Sequence, residues 1–495
     1  MYSSRLVWNQ RAIPLTRSMW PKLPQELKDW VFRALLDGED TGIAPLATVS
    51  REWQTVIERH NFARIKLTPA RLGEFNCYFP LRCRHLVRYI WLCIELNEAD
   101  NLPLYFHHPQ NFHLSQDHTT GCEPIAETIQ TLLSILSNWE ETGDGLQLDI
   151  SYHSLKDKKN FEYLTFEPDL PSFSDNLDDP RHGRIAPGLQ SYPTLAAIQR
   201  TFRDGFGLSW MKQLPSVPVV TALLLRQQNL RCWSPQGLGK FLSLFPRLEE
   251  VHYEPWRWTP DHQASADNGY LCMLAARFMR RIRRLAVFEN FSENIESMYL
   301  VPSIPPRPAR ARIVGSEFAR TSLKLDQLSA SFIIEAEHFL TACKPSWTWP
   351  NLTTLSLTSQ LLAPDVDPAK VNQLLTSAAE VATRMPKLER LEIWNGRRGL
   401  AMLFKYQILS DGRAVITRRG TWDLTLEPSV IQAWKEVALE RGRRQCVISE
   451  ELLPDPSIIK GHGDAIYHLG LSSEVIRPIS LHQIRKEHRS WPESG

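Results

Sequence analysis

The 495-residue sequence has almost no excess of charge of either sign, because 57 lysines and arginines stand against 55 aspartates and glutamates. A formal net charge of +2 gives no overall basic field for holding phosphates, so nucleic acid is not predicted as a partner. The sequence also lacks an uninterrupted apolar run of about 18 residues, which a membrane-spanning helix requires. We therefore expect no membrane partner and a cytoplasmic or nuclear location.

Paired metal-binding or disulfide motifs are missing as well. The eight cysteines are scattered without a Cys-x-x-Cys pair, which excludes a zinc ribbon and a dense disulfide scaffold. The densest set of potential ligands fits no zinc spacing and is predicted to lie in a solvated loop: His107, His108, His113, His118 and Cys122. No metal ion and no other cofactor is predicted.

Signatures of catalysis are absent too. The sequence has no Gly-x-Ser-x-Gly elbow, no His-Glu-x-x-His helix and no dinucleotide fingerprint. The glycines of "QGLGKF" lack the Gly-Lys-Ser/Thr ending that holds phosphate, and "GHGD" at Gly461 has no nucleophile beside it in sequence. We therefore predict that the protein is not an enzyme, and keep an undetected enzyme in the C-terminal region as an alternative.

A small helical unit follows an N-terminal tail of residues 1–19. Pro24 suits the first turn of a helix, because its missing N–H would have no partner there. Leu27, Val31 and Leu35 then form one apolar stripe. Trp30 and Phe32 lie outside that stripe, so this helix has more apolar surface than a small core needs, which indicates a partner surface.

A second helix is predicted from about Pro45, after the turn-forming segment "DGEDTG". It carries its apolar residues on one side: Leu46, Val49, Trp53, Val56 and Ile57. A pair of helices of this size can hardly bury a core alone. Either a partner or the next domain should cover its apolar surface.

These residues resemble the F-box family over residues 20–66. The family pattern is matched by Leu23, Pro24, Glu26, Leu27, Val31, Leu35, Val49, Ser50 and Trp53. The resemblance implies that the unit docks on the Skp adaptor of a cullin-RING ubiquitin ligase. The adaptor-binding residues it implies are Leu23, Pro24, Leu27, Val31, Leu35, Val49 and Trp53. Some of these build the local core and others form the contact; an ordinary helical hairpin packed on the next domain is the alternative.

A repeated segment characterises residues 67–396. The pattern Pro-x-apolar-x-x-apolar-x-apolar begins at Pro218, Pro246, Pro350 and Pro386, and related segments without the proline begin at Ile282 and Leu325. Helix-like stretches lie between them, so the region resembles the irregular leucine-rich repeats of F-box proteins, an α/β solenoid. A doubly wound α/β domain is the alternative, since it too alternates strands with helices.

Two further patterns complete the chain. In "RRIRR" we expect Ile282 to point inward and the flanking arginines to be exposed, in preference to a nuclear-localisation or phosphate patch. Residues 397–495 are predicted to hold antiparallel strands, a helix and a tail. From about residue 300 to 490 the sequence resembles an uncharacterised domain that follows F-box-like segments in fungal proteins, which brings no mechanism with it.

The expected fold is therefore α/β, a small helical F-box followed by an irregular leucine-rich-repeat-like solenoid. The expected function is substrate recognition for a cullin-RING ligase, in which the repeat region holds an unknown protein substrate. The ligase would then act by proximity, with no acid, base or nucleophile from this chain. A scaffold that acts outside a ligase is the main alternative.

Overall fold

The computed structural model describes ten stretches of the chain: residues 20–36, 42–96, 123–141, 144–161, 163–169, 214–230, 233–258, 260–292, 308–443 and 445–490. They fall into two compact units, with the boundary between Arg64 and Ile65. The solvated loop predicted to hold His107, His108, His113, His118 and Cys122 lies outside the described residues.

The first unit contains helices α1 (Gln25–Leu36) and α2 (Arg51–Ala63), with short 3-10 turns at Trp20–Lys22 and Ala44–Thr48. The carbonyl oxygen of Pro24 accepts the first helical hydrogen bonds of α1, as its position in the sequence predicts. The predicted start of the second helix near Pro45 is wrong. The helix begins at Arg51, because the Ser50 hydroxyl accepts a hydrogen bond from the Trp53 N–H at 3.3 Å and caps it there.

The second unit is built on one twelve-stranded sheet in which the strands lie side by side in chain order. The strands are β1 (Arg64–Leu67), β2 (Tyr89–Leu96), β3 (Leu146–Ser154), β4 (Val220–Leu225), β5 (Glu250–Tyr253), β6 (Arg284–Phe288), β7 (Gln327–Glu335), β8 (Thr354–Thr358), β9 (Arg390–Arg397), β10 (Leu400–Ile408), β11 (Ala414–Gly420) and β12 (Cys446–Leu452).

Helices occur throughout this unit. They are α3 (Pro69–Tyr78), α4 (Glu123–Leu136), α5 (Leu155–Asn160), α6 (Pro235–Leu242), α7 (Pro260–Ala275), α8 (Pro308–Ser322), α9 (Ala336–Ala342), α10 (Pro368–Thr383), α11 (Pro428–Glu440), α12 (His462–Leu469) and α13 (Pro478–Ser490). The α/β class predicted from the sequence is confirmed.

Strand direction divides the sheet. From β2 to β9 every neighbouring pair is parallel, whereas β10 is antiparallel to both β9 and β11. A doubly wound sheet reverses its strand order at a switch point, and this sheet does not, so that alternative is wrong. The change of pattern at Gly396 marks a reversal of strand direction inside one continuous sheet, because β9 pairs directly with β10.

The repeated apolar positions stack across the parallel strands. The second apolar residues of the pattern are register partners from strand to strand: Leu223, Val251, Leu285, Leu328, Leu355 and Leu391. The third are Leu225, Tyr253, Val287, Ala330, Leu357 and Ile393, and both rows are buried in the main core. Ile282 is also buried with its arginine neighbours exposed, as predicted.

The opposite face of the sheet is covered by the C-terminal segment, residues 453–490. Helix α12 packs on β9 and β10, where apolar residues of the segment meet Trp394 and Leu403 in a second core. The approach is close enough to require Gly396, because a Cβ at that position would lie 2.5 Å from the Cβ of Ala465. Sequence analysis assigned most of this segment to a tail and missed both helices.

The length and polarity of the helices bear on membrane spanning. Within the described stretches, every helix is too short or too polar to cross a bilayer.

Candidate functional site

Two regions carry candidate functional residues, the helical unit and the covered face of the sheet. In the helical unit, an aromatic cluster forms the local core. The rings of Trp20, Phe32 and Trp53 lie with centroids 5.0 to 5.3 Å apart, in edge-on and tilted contacts. Phe32 was predicted to add surplus apolar surface, and that prediction is wrong, because only 4% of its surface is exposed.

A polar contact holds this cluster together. The Trp20 indole Nε1 donates to Glu52 Oε2 at 2.8 Å, and Lys28 Nζ lies 3.2 Å from the other carboxylate oxygen. The hydrogen bond from Trp20, helped by Lys28, lowers the pKa of Glu52. Lys28 therefore joins α1 to α2.

The seven residues implied by the F-box resemblance separate into two groups. Leu23, Val31, Leu35 and Trp53 are half-buried, whereas Pro24, Leu27 and Val49 are exposed. This separation could not be made from the sequence. The half-buried residues serve the local core, and the exposed ones remain free for contact.

Trp30 belongs with the exposed group although it was not among the seven. Its side chain is 68% exposed, against 51% for Leu27 and 61% for Val49. Leu27 and Trp30 are three residues apart on α1 and therefore share one helical face. The sequence signal that could have added Trp30 to the set was already visible, namely a large aromatic outside the apolar stripe.

The covered face of the sheet carries buried polar residues beside the second apolar core. Where the helix-facing rows carry leucine and valine, the residues between them on this face are buried and polar, notably Asp149, His252, Ser329, Ser356 and Glu392. Burial raises the pKa of Glu392, against the opposing charges of Arg390 and Lys405. Of these residues, Glu392 accepts a hydrogen bond from the Ser472 hydroxyl of the C-terminal segment at 3.4 Å.

At one side of this face, four residues form a linked network. The Tyr89 hydroxyl donates to Asp149 Oδ2 at 2.6 Å, and Arg226 Nε donates to the same oxygen at 2.7 Å. The backbone N–H of Asp169 in turn donates to the Tyr89 hydroxyl oxygen at 2.9 Å. Burial raises the pKa of Asp149 to about 6, although Arg226 opposes the shift. The network fixes the position of Asp169.

The C-terminal segment brings a second set of ionisable groups. His462 Nε2 lies 2.7 Å from Asn290 Oδ1, and Asp464 accepts a hydrogen bond from Arg485 Nε at 3.0 Å. Burial raises the pKa of Glu487 to about 8 and lowers the pKa of His488 to about 4. The histidine and aspartate of "GHGD" are thus held in contacts within the fold.

Metal chemistry finds no support in the part of the chain that the structure describes. There, no group of three or more histidine, cysteine, aspartate or glutamate side chains is arranged to hold an ion. The first region presents exposed apolar side chains, and the second holds buried carboxylates and amides.

Part of the chain matches a known protein family. The fold defines an α/β protein with a single mixed sheet in chain order. Residues 277–477 match a family of unknown function (DUF6546), from the turn before β6 to the last residue before α13. No curated protein matches the chain.

The family match bears on the resemblance noted between residues 300 and 490. An uncharacterised domain is confirmed there, with bounds that begin earlier and end at Arg477. The family brings no F-box or leucine-rich-repeat assignment with it, so these two resemblances stay predictions.

Proposed function

We propose that the protein is a substrate-recognition adaptor of a cullin-RING ubiquitin ligase, whose helical unit binds the Skp adaptor. The observation that carries the proposal is the exposure of Leu27, Trp30 and Val49 on a unit separate from the sheet. Exposed large apolar side chains on so small a unit favour a protein partner. The match of Leu23 to Trp53 to the F-box pattern names the partner.

We propose further that β2 to β9 form an irregular solenoid of the leucine-rich-repeat type. The consecutive parallel order and the stacked apolar rows support it. Two asparagines, Asn229 after β4 and Asn395 near the end of β9, support it as well. Asn229 accepts a hydrogen bond from Tyr152 N–H at 3.0 Å and donates to Ile150 O at 2.9 Å, which ties its turn to the neighbouring strand. Asn395 donates likewise to Leu362 O at 3.2 Å.

In this role the chain contributes binding and no reaction chemistry. Holding a substrate near a charged ubiquitin raises the effective concentration of the substrate lysine, and the rate follows. A scaffold outside a ligase would use the same surfaces without the Skp adaptor. An enzyme in the C-terminal region would instead need acid and base groups reachable by a substrate, whereas His462, Asp464 and Glu487 are buried.

Co-purification with the Skp adaptor tests the proposal. We expect the wild type to retain the adaptor and the double variant Leu27→Asp/Trp30→Asp to lose it, at least about a hundredfold in affinity, because two carboxylates would be buried in an apolar contact. Leu439→Asp is the matched control, since Leu439 is 62% exposed on α11, outside the helical unit.

Two outcomes would overturn the proposal. A wild type that does not bind the adaptor leaves the scaffold as the better account. Equal binding by the double variant and the Leu439→Asp control would remove α1 from the contact. Trp53 is unsuited to this test, because its ring belongs to the aromatic cluster and its loss would disturb the unit itself.

A further inference from the structure

The C-terminal segment is bound to the sheet through a two-point arginine contact. Arg477 Nη2 lies 2.6 Å from Asp169 Oδ2, and Arg477 Nε donates to Asp169 Oδ1 at 3.1 Å. The backbone N–H of Arg477 donates to Glu254 Oε1 at 3.0 Å. Paired bonds of this kind give both strength and geometric selection for arginine over lysine.

The receiving carboxylates are built by the sheet and by the residues after its strands, without the C-terminal segment. Asp169 is fixed through its backbone by Tyr89, which Asp149 and Arg226 hold in turn. The second oxygen of Glu254 accepts the backbone N–H of Gln227 at 2.9 Å. Both Asp169 and Glu254 are almost fully buried. The Asp169 backbone and one oxygen of Glu254 are therefore held by groups outside the C-terminal segment.

The helix that follows Arg477 has a polar sequence although its position in the fold is buried. Helix α13 is mainly polar, yet His482, Gln483, Ile484 and Arg485 are all buried, which covers every side of one helical turn. Gln483 reaches the Gln227 side chain at 2.7 Å and accepts the Thr165 N–H at 3.0 Å.

Other polar atoms of α13 are left over. In the described part of the chain, Ser480 Oγ is buried without a hydrogen-bond partner. An unpaired buried polar group is unfavourable for the folded state. Helix α13 is thus a polar helix whose buried position depends on specific polar contacts, such as that of Gln483 with Gln227.

We propose that Asp169 and Glu254 form an arginine-recognition position for a partner protein, and that Arg477 with α13 occupies it within the chain as an internal ligand. The partner protein would present a segment in which an arginine is followed by a helix. That helix would carry an amide or similar group that hydrogen-bonds to Gln227. This inference rests on the proposed function, because it names the class of substrate that the adaptor would recognise. Until the internal ligand leaves, the position is closed to substrate.

The test uses the full chain and a labelled peptide of residues 472–490, SSEVIRPISLHQIRKEHRS. In Arg477→Ala the internal contact is weakened while the carboxylates remain. We expect this variant to bind the peptide at least about tenfold more tightly than the wild type does, as measured by fluorescence anisotropy. A peptide carrying Arg477→Glu should not bind. Arg413→Ala is the matched control, since it breaks an ion pair with Asp411 outside the segment.

Asp169→Asn separates recognition from stability. It weakens the same internal contact but removes the carboxylate, so we expect faster hydrogen exchange over residues 472–490 and no gain in peptide binding. In both variants exchange should rise over that segment while β4 to β9 stay protected.

Three results would overturn the inference. They are equal peptide binding by Arg477→Ala and the wild type, equal binding of the two peptides, or a rise in exchange over the segment that occurs only together with β4 to β9. Each is distinguishable from failure of the proposed function, because retention of the Skp adaptor is measured independently of the segment.

Discussion

At the scale of residues, burial separates side chains that look alike in the sequence. Trp30 and Phe32 are two aromatics in the same turn of α1, and the pattern alone placed both outside the stripe. The structure buries Phe32 between Trp20 and Trp53 and leaves Trp30 exposed. No feature of the local sequence distinguishes them, because the deciding ring, Trp20, lies in a turn before the helix.

This difference predicts opposite results for two alanine variants. Phe32→Ala should destabilise the helical unit by about 3 kcal/mol, because it empties a buried aromatic position. Trp30→Ala should change stability by less than about 0.5 kcal/mol, because its side chain is exposed. Urea unfolding followed by tryptophan fluorescence measures both. Equal losses of stability would contradict the assignment of Trp30 to a contact surface.

Glu487 predicts a pH dependence of stability. Its pKa rises from 4.5 to about 8 in the folded chain, so the folded state keeps a proton that the unfolded state has released. The free energy of unfolding should therefore fall as pH rises from 4.5 to 8, by at most about 1.4 kcal/mol per pH unit. His488 acts in the opposite sense below pH 6.5, because its pKa is lowered to about 4. The window from pH 6.5 to 8 isolates Glu487.

Glu487→Gln should remove that slope. The amide keeps the shape of the side chain and cannot ionise. The free energy of unfolding of the variant should therefore rise steadily relative to that of the wild type between pH 6.5 and 8. Thermal unfolding at intervals across this window is the measurement, with Glu436→Gln on α11 as the control. Parallel curves for wild type and Glu487→Gln would show that Glu487 is already ionised in the folded state.

At the scale of elements, strands follow from the sequence more readily than the helices that cover them. The proline-led pattern predicts β4, β5, β8 and β9, because buried parallel strands need the same apolar positions in every repeat. Helix α13 escapes prediction for the converse reason. Its sequence is polar, and its burial depends on partners such as Thr165 and Gln227 that are more than 200 residues away.

The contact of α12 with β9 predicts a sensitive glycine. In Gly396→Val the new side chain would clash with Ala465 and displace α12 from the sheet. The free energy of unfolding should fall by about 1 to 3 kcal/mol. Gly73→Ala on α3 is the control, since open space surrounds that position and alanine favours helix. A lower melting temperature for Gly396→Val alone is expected. Unchanged stability would mean that α12 does not pack on β9 as described.

At the scale of the whole molecule, the regions predicted from sequence patterns differ from the compact units of the structure. The F-box resemblance and the repeats suggested three regions, and the structure has two units with one sheet running through Gly396. The face of the sheet that an adaptor could offer to a substrate carries the chain's own C-terminal segment. The sequence does not predict this cover, because the segment that supplies it lies far from β3 in the chain.

Binding of the Skp adaptor by the helical unit can be measured by titrating the purified full chain with purified Skp adaptor. We expect a one-to-one complex on size-exclusion chromatography that the Leu439→Asp variant also forms and the Leu27→Asp/Trp30→Asp variant does not. Separate elution of the wild-type chain and the adaptor, at concentrations where both are folded, would contradict it.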